Sequence, residues 1–290
     1  MRFVGTPFTF AYEQVGNNCG LLGKNAAVEV DGAAYWMSDN GFFRYTGQLQ
    51  SMQCLVEDYV YDDLNTSSNQ LVYCGINNLF GEITWFYCTS GSNVVDRSVT
   101  YSYLDSTRDR PIWFTNASSI FPRTTWEDSS VFGLPHATQY DADTDTCGTV
   151  GNTDGISIYY EHETGVNYIK GGTSFAVPAS ITSGDYDITQ DQREGISFRG
   201  DGEFIMRVSR IIPDFITQTG NAIVQLDLRD YPNDAATSSP LGPFTLTPTT
   251  TKVDTRARAR QIALTISNTA VDSNWKLGTF RLDVHSGGRR

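Results

Sequence analysis

Short runs of β-branched and aromatic residues alternate with clusters of Gly, Asn, Asp and Ser along almost the whole chain. This pattern is typical of antiparallel strands joined by tight turns, so the chain is predicted to be all-β. One stretch differs: in CLVEDYVYDDL, residues 54–64, Leu55, Tyr59 and Leu64 are spaced for a helical turn or two, with acidic residues between them. The sequence predicts one short surface helix there.

The first 180 residues contain a loose repeat of strands and turns. Its copies lie at residues 26–50, 70–114 and 136–166. In the first copy, Asp31-Gly32 and Asn40-Gly41 are the residues that tight hairpin turns require. Three meanders of about 40 to 45 residues are typical of propeller blades, but closure takes at least about four. We therefore expect propeller-like antiparallel meanders in an incomplete or atypical propeller, completed by other copies, by an unusual closure or by residues upstream.

The remainder of the chain has a different pattern. In NAIVQLDLRDYP (221–232) and GTFRLDVHSG (278–287) apolar and polar residues alternate, so each strand buries one face only. Charge divides the chain at the same place: residues 1–180 hold 8 Lys+Arg and 20 Asp+Glu (8 − 20 = −12), and residues 181–290 hold 13 of each. We expect an acidic propeller-like domain over 1–180 and a C-terminal β-sandwich-like domain over 181–290.

The segment TRARARQIALTIS, residues 255–267, has an unusual face. Arg256, Arg258 and Arg260 are followed at the same spacing by Ile262, Leu264 and Ile266. The spacing predicts a single strand that leaves the core and presents three guanidinium groups in a row. They are expected to pair with acidic neighbours at the surface, with the acidic patch of a neighbouring subunit, or with nucleic acid phosphate. These arginines are the candidate subunit-contact residues.

The string GGTSFAVP, residues 171–178, resembles the serine loop of subtilisin-like proteases. Attack by Ser174 would need a histidine base and an orienting carboxylate. The three histidines are His136, His162 and His285, none of them in a matching motif, and strand-like sequence follows Pro178. We therefore predict that Ser174 is an ordinary loop residue and that the chain is not an enzyme.

Two acidic clusters partly match known kinds of functional site, a calcium loop and the carboxylate pair of a glycoside hydrolase. The run DADTDT (141–146) spaces its aspartates like the first half of a calcium loop, but it lacks the glycine and the closing glutamate, which favours a solvated turn. The carboxylates of Glu57, Asp58, Asp62 and Asp63 suit glycoside hydrolysis, although a polar helix face is the commoner cause. No metal or cofactor is predicted.

Composition narrows the function classes further. The five cysteines show neither a CxxC nor a Cys/His spacing, so we expect buried free thiols. The net charge of −12 argues against wrapping of nucleic acid, although DNA could pass through an acidic channel without binding. No apolar run is long enough for a membrane span, and no membrane insertion is expected.

Several ordered stretches, spread over nearly the whole chain, resemble one protein family. They are DGAAYWMSDNGFFRYTG (31–47), CLVEDYVYDDLN (54–65), CGINNLFGEITWFY (74–87), SRIIPDF (209–215), GPFTLTPTTTKVDTRARARQIALTIS (242–267) and NWKLGTFRLDVHSGGRR (274–290). They are similar to the C-terminal part of the tail nozzle, or packaged-DNA stabilisation, proteins of short-tailed bacteriophages.

The resemblance implies a structural protein of the virion tail, assembled in the host cytoplasm. Such proteins form a homo-oligomeric ring below the portal and adaptor, extend the DNA channel and close it after packaging, so that DNA passes without specific binding. The family members are longer at the N-terminus, so this chain is expected to begin partway through the propeller. The resemblance implies no catalytic residue. The stretch TKVDTRARAR (251–260) is shared with the family as a structural signature only.

A second function class stays open beside the first. Trp85, Trp113 and Trp126 would be stacking platforms for sugars in a carbohydrate-binding or carbohydrate-cleaving tail component. Core packing is the commoner use of tryptophan in strands. The exposure of these three rings is therefore the first structural observation that bears on the alternative.

Overall fold

The computed structural model describes residues 2–117, 121–141, 156–170, 172–191, 195–197, 203–231, 234 and 240–289. The strands are β1 (Arg2–Phe3), β2 (Phe10–Ala11), β3 (Ala27–Val30), β4 (Ala33–Ser38), β5 (Gly41–Tyr45), β6 (Leu49–Met52), β7 (Tyr73–Asn77), β8 (Glu82–Tyr87), β9 (Arg97–Ser102), β10 (Trp113–Asn116), β11 (Thr125–Glu127), β12 (His136–Asp141), β13 (Ile156–Glu161), β14 (Asn167–Lys170), β15 (Thr173–Ala176), β16 (Ala179–Thr182), β17 (Thr189–Asp191), β18 (Gly195–Ser197), β19 (Phe204–Ile212), β20 (Phe215–Thr219), β21 (Ala222–Arg229), β22 (Leu241–Leu246), β23 (Val253–Ala259), β24 (Gln261–Asn268), β25 (Asn274–Leu277) and β26 (Arg281–Arg289). Within these residues, helix is confined to α1 (Glu57–Tyr61) and a 3₁₀ helix at Thr66–Leu71. The prediction of an all-β chain is confirmed.

The chain divides into two compact units, Met1–Thr164 and Gly165–Arg290. The boundary lies earlier than the expected one at residue 180, which falls inside β16. The change in charge near residue 180 does not coincide with the boundary between the units. β16 pairs with β24 and so belongs to the second unit. The contrast in charge remains: the first unit holds 7 Lys+Arg and 20 Asp+Glu (7 − 20 = −13), and the second 14 and 13 (14 − 13 = +1).

The first unit is built from antiparallel meanders. Its larger sheets have the orders β3-β4-β5-β6, β10-β9-β8-β7 and β11-β12-β13, each following the chain. The turn between β3 and β4 has positive φ at Asp31 (51°) and Gly32 (77°), as the sequence predicted. The first predicted repeat is thus present, and a fourth strand, β6, follows the three strands that its two predicted turns connect.

The sheets of the first unit stack in chain order. Met37, Phe42 and Trp85 are fully buried in the core between the β3–β6 and β7–β10 sheets. On the opposite face of the β7–β10 sheet, Phe86 packs against Trp126 of β11. The middle sheet is therefore covered on both faces, as a propeller blade is by its neighbours. The described strands form open sheets, and a propeller stays a prediction.

The predicted helix is present but short, and it buries a different side. Of the three predicted apolar residues, Leu64 is buried but lies beyond the end of α1, and Leu55 and Tyr59 are exposed. The buried residue of α1 itself is Val60. The expected apolar face was wrong because the helix lasts little more than one turn, and its contact with the core is set by the flanking sheets. Neither helix in the described residues has the length of a bilayer span.

The second unit has two main sheets, of orders β16-β24-β21-β22 and β23-β19-β26. Both contribute to one hydrophobic core: Met206 and Val208 come from the second sheet, and Val224 and Leu226 from the first. Residues between these positions are less buried, so the alternation in the sequence corresponds to one buried face per strand. This two-layer arrangement positions the candidate site.

Candidate functional site

The predicted arginine strand is divided between two sheets. Arg256 and Arg258 lie on β23, whereas Ile262 and the apolar residues after it lie on β24 of the other sheet. The prediction of one continuous strand was wrong because the chain changes sheets at Arg260. An alternating pattern keeps its period through such a corner, so the sequence does not reveal it.

Arg256 and Arg258 belong to a basic face, which we define as Arg207, Arg256, Arg258 and His285. Arg207 on β19 pairs with Arg258 on one side and with His285 on β26 on the other. All four side chains are exposed on the outer surface of the β23-β19-β26 sheet. The inner surface is buried, which fixes the outward direction of the basic residues.

The charges of the basic face are not balanced locally. No described Asp or Glu forms an ion pair with Arg207, Arg256 or Arg258. Arg207 and Arg258 are direct cross-strand neighbours of like charge, an arrangement that disfavours the isolated sheet by about 0.2–1 kcal/mol. A row of guanidinium groups that repel each other favours an anionic partner from outside.

Arg210, further along β19, shows the balanced alternative. Its guanidinium contacts Asp254 at 3.0 Å and Asp283 at 3.3 Å, and Lys252 contacts the same Asp254 at 3.1 Å. The hydrogen bonds from Arg210 and Lys252 lower the pKa of Asp254. The predicted pairing of surface arginines with acidic neighbours thus occurs at Arg210, not at Arg256 and Arg258. The sequence pattern did not indicate Arg210.

Arg260 has a different environment from the other two predicted residues. It is half-buried, its Nη1 donates to the carbonyl oxygen of Glu203 at 2.9 Å, and its guanidinium lies 5.9 Å from the ring centroid of Tyr231. Its backbone N–H donates to the carbonyl of Arg229 at 3.1 Å. Arg260 therefore holds the corner between the two sheets.

The basic face suits recognition of anions. Guanidinium groups bind carboxylates and phosphates through paired hydrogen bonds, and an open sheet surface allows a large partner to approach. Arg207 and His285 were missed in the sequence. Each occupies an outward position of an alternating strand, but the register that brings them beside Arg258 joins segments far apart in the chain.

The residues considered for catalysis are not brought together. Ser174 is not the loop residue that the sequence predicted: it is exposed on β15, where it pairs with Ile169 of β14 in a hairpin. Asp58 and Asp62 are exposed, while Asp63 accepts a hydrogen bond from the Ser90 hydroxyl at 2.6 Å. Asp63 also forms an ion pair with Arg97 at 3.8 Å, so the carboxylates of the α1 region act as a polar helix face with structural contacts at Asp63.

The predicted calcium loop, residues 141–146, lies outside the described residues apart from the backbone of Asp141 at the end of β12. Four cysteines are described, and all of them are free thiols: Cys19, Cys54, Cys74 and Cys88. Burial raises the pKa of Cys54 to about 12, so this thiol is a packing residue rather than a nucleophile.

The three tryptophans proposed as sugar platforms have structural contacts. Trp85 is fully buried and donates to the carbonyl of Ala26 at 3.0 Å. Trp113 is partly buried against the same core and donates to the carbonyl of Gln53 at 2.8 Å. Trp126 packs on Phe86. Nothing in their placement favours the carbohydrate alternative.

A scan against protein-family models finds no match, and a search of curated proteins likewise finds none.

Proposed function

We propose that this protein is a structural subunit of a short-tailed phage tail, of the nozzle or tail-tube type, which forms a homo-oligomeric ring around the DNA channel. In the ring, the basic face of one copy contacts the acidic first unit of the next copy. The observation that carries the proposal is the row of Arg207 and Arg258, with Arg256 beside it, on an open sheet without a described acidic partner.

Charge complementarity supports a second copy as the partner. The first unit has a net charge of −13 and the second unit +1, so one chain offers both an acidic surface and a basic face. A contact between two different surfaces of identical chains is heterologous, and such contacts close into rings when the rotation allows it. Electrostatic complementarity of this kind also fixes the register of the contact.

The same charge distribution is consistent with a DNA conduit. An acidic surface that lines a channel repels phosphates, so the DNA slides instead of adhering. This role needs the stacked antiparallel sheets of the first unit as a rigid wall rather than a catalytic site. The portal and adaptor above the ring and other tail proteins below it are the expected neighbours.

The test is the oligomeric state of the full chain. We would measure mass by light scattering and image the particles by electron microscopy, for the wild type and for the Arg256→Glu/Arg258→Glu variant. The wild type is expected to form rings that dissociate in about 1 M NaCl, because salt screens exposed charges. The variant should remain monomeric and folded.

Lys276→Glu is the control, because Lys276 is an exposed basic residue of the second unit on β25, outside the basic face. It should assemble as the wild type does. A monomeric wild type, or rings that survive the double substitution, would overturn the proposed contact. Tight, salt-dependent DNA binding by the wild type that the double variant loses would instead identify phosphate as the partner of the basic face.

A further inference from the structure

A second group of polar residues lies in the first unit. Asn77 ends β7 and Glu82 begins β8, and the two form a direct cross-strand pair beside the hairpin turn. Directly paired residues of antiparallel strands place their side chains on the same face. Glu163, which follows β13, accepts a hydrogen bond from Asn77 Nδ2 at 2.8 Å, across 86 residues of sequence.

Among the described residues, no cation compensates the charge of the two carboxyl groups. Burial, Glu163 and Asp105 raise the pKa of Glu82 to about 7. Burial also raises the pKa of Glu163, against the hydrogen bond from Asn77. None of these interactions comes from a described Lys or Arg, so within the described residues the two carboxyl groups have no basic neighbour that would favour their charged forms.

Asn77 provides a third, independent oxygen. The residue is 6% exposed, and its side-chain Oδ1 has no hydrogen-bond partner among the described residues. Its Nδ2 donates to Glu163, so the orphaned Oδ1 belongs to the same amide group that contacts this carboxyl group. Buried acceptors without partners are costly and infrequent, and they call for a donor or a cation.

We propose that Glu82, Glu163 and Asn77 Oδ1 bind a calcium ion. Ca²⁺ takes carboxylate and amide oxygens in flexible geometry and completes its shell with water, whereas Mg²⁺ demands a tighter octahedron. Within the described chain, no three His, Cys, Asp or Glu side chains gather as a metal site. Two carboxylates and an amide are a low-charge set, so the affinity belongs to the weak class of about 10⁻⁴–10⁻³ M.

The ion would act as a clamp between two sheets. Asn77 and Glu82 belong to the β7–β10 sheet, and Glu163 directly follows the strands of the β11–β13 sheet. Binding would neutralise the repulsion between the carboxylates and fix the end of the β11–β13 sheet on the β7–β10 sheet. The inference is independent of the proposed ring, because it concerns the stability of a single chain.

The test is thermal unfolding of the full chain, first freed of metal with a chelator that is then removed, at about pH 8, above the pKa of about 7 of Glu82. With CaCl₂ at about 10 mM, the folded-to-unfolded ratio of the first unit should rise about 10-fold to 100-fold, as expected for ligand in that excess over its dissociation constant. MgCl₂ at the same concentration should give a clearly smaller rise. At about pH 5 the calcium effect should vanish, since protons then compete for the carboxylates.

Glu82→Gln and Glu163→Gln should each abolish the calcium effect, because they remove a charged ligand without changing shape. Asp62→Asn is the control: it removes an exposed carboxylate of the same unit and should respond to calcium as the wild type does. Equal stabilisation by both ions, no stabilisation by calcium, or an unchanged response in Glu82→Gln would overturn the site. The comparisons of ions and pH use the wild type, so they hold even where a variant fails to fold.

Discussion

The indole of Trp126 occupies the space where a side chain at Gly75 would lie: a β-carbon built on Gly75 comes within 2.5 Å of Cγ of Trp126. Trp126 also donates through Nε1 to the carbonyl of Ile76, on the same strand. The β11–β13 sheet thus packs on β7 through one aromatic ring, at a position where only glycine leaves room for it.

Gly75→Val should therefore displace Trp126 and loosen the β11–β13 sheet. We expect a loss of about 1–3 kcal/mol in the free energy of unfolding, the range for forced overpacking, measured by urea denaturation. Gly91→Ala is the matched control, since a β-carbon at Gly91 would meet no atom within 4 Å and the φ of this residue is not positive. Similar stabilities for the two variants would contradict the role of Gly75.

His162 gives the first unit a specific dependence on pH. Arg123 Nε donates to His162 Nε2 at 2.9 Å, and the rings of His162 and Trp126 lie 4.4 Å apart. Burial, then Arg123 and His136, lower the pKa of His162 from 6.5 to about 3. The folded state therefore holds this imidazole neutral over a range in which the unfolded chain protonates it.

The contribution of neutral His162 to the free energy of unfolding is fully present above pH 6.5 and is lost as the pH falls from there to about 3. We expect the wild type to lose stability relative to His162→Gln across that window, by at most about 1.4 kcal/mol per pH unit. Glutamine can still accept the bond from Arg123. The measurement is the free energy of unfolding against pH, with His285→Gln, an exposed site, as the control; parallel curves for wild type and His162→Gln would rule the effect out.

Local patterns predicted the strands because hairpins are local. Asp31-Gly32 marks its turn in the sequence, and the flanking alternation gives the strands on either side. The buried face of α1 could not be predicted in this way. A helix of little more than one turn has no periodicity of its own, and the surrounding sheets decide that Val60 is buried and Tyr59 exposed.

Both candidate sites depend on contacts between distant segments. Arg258 was identified from its own strand, but its neighbour Arg207 becomes visible only through strand register. Glu163 could not be predicted as a partner of Asn77, 86 residues earlier, and its φ of 61° is a conformation that its residue type disfavours. Sequence patterns report the face on which a residue lies, whereas a site also needs the register between elements.

Arg258 and Arg260 are adjacent in the alternating pattern, yet their removal should have opposite effects on the isolated chain. Arg258→Ala relieves repulsion with Arg207, so at low salt it should leave the monomer as stable or raise its stability by up to about 1 kcal/mol. Arg260→Ala removes the hydrogen bond to Glu203 and the contact with Tyr231, and should lower stability by about 1–2 kcal/mol.

Urea denaturation of dilute, monomeric protein would measure both variants. Assembly provides the complementary readout: Arg258→Ala should weaken the ring at unchanged or higher monomer stability. A stability loss in Arg258→Ala as large as that in Arg260→Ala would show that Arg258 has a structural role in its own chain.

Glu82 should give the metal-free protein a pH dependence opposite in sign to that of His162. Because its pKa is raised to about 7, the folded state binds the proton more tightly than the unfolded chain does. The stabilisation is fully present below pH 4.5, the ordinary pKa of a glutamate, and is lost as the pH rises through about 7.

Glu82→Gln is permanently neutral. In chelator its free energy of unfolding should therefore match that of the wild type near pH 4.5 and exceed it at about pH 8. Asp58→Asn, at an exposed position of α1, should keep the wild-type profile. Free energies of unfolding from urea titrations at both pH values would measure the difference, and a Glu82→Gln variant less stable than the wild type at the higher pH would show that the buried carboxylate is stabilised by a partner other than a proton or a cation.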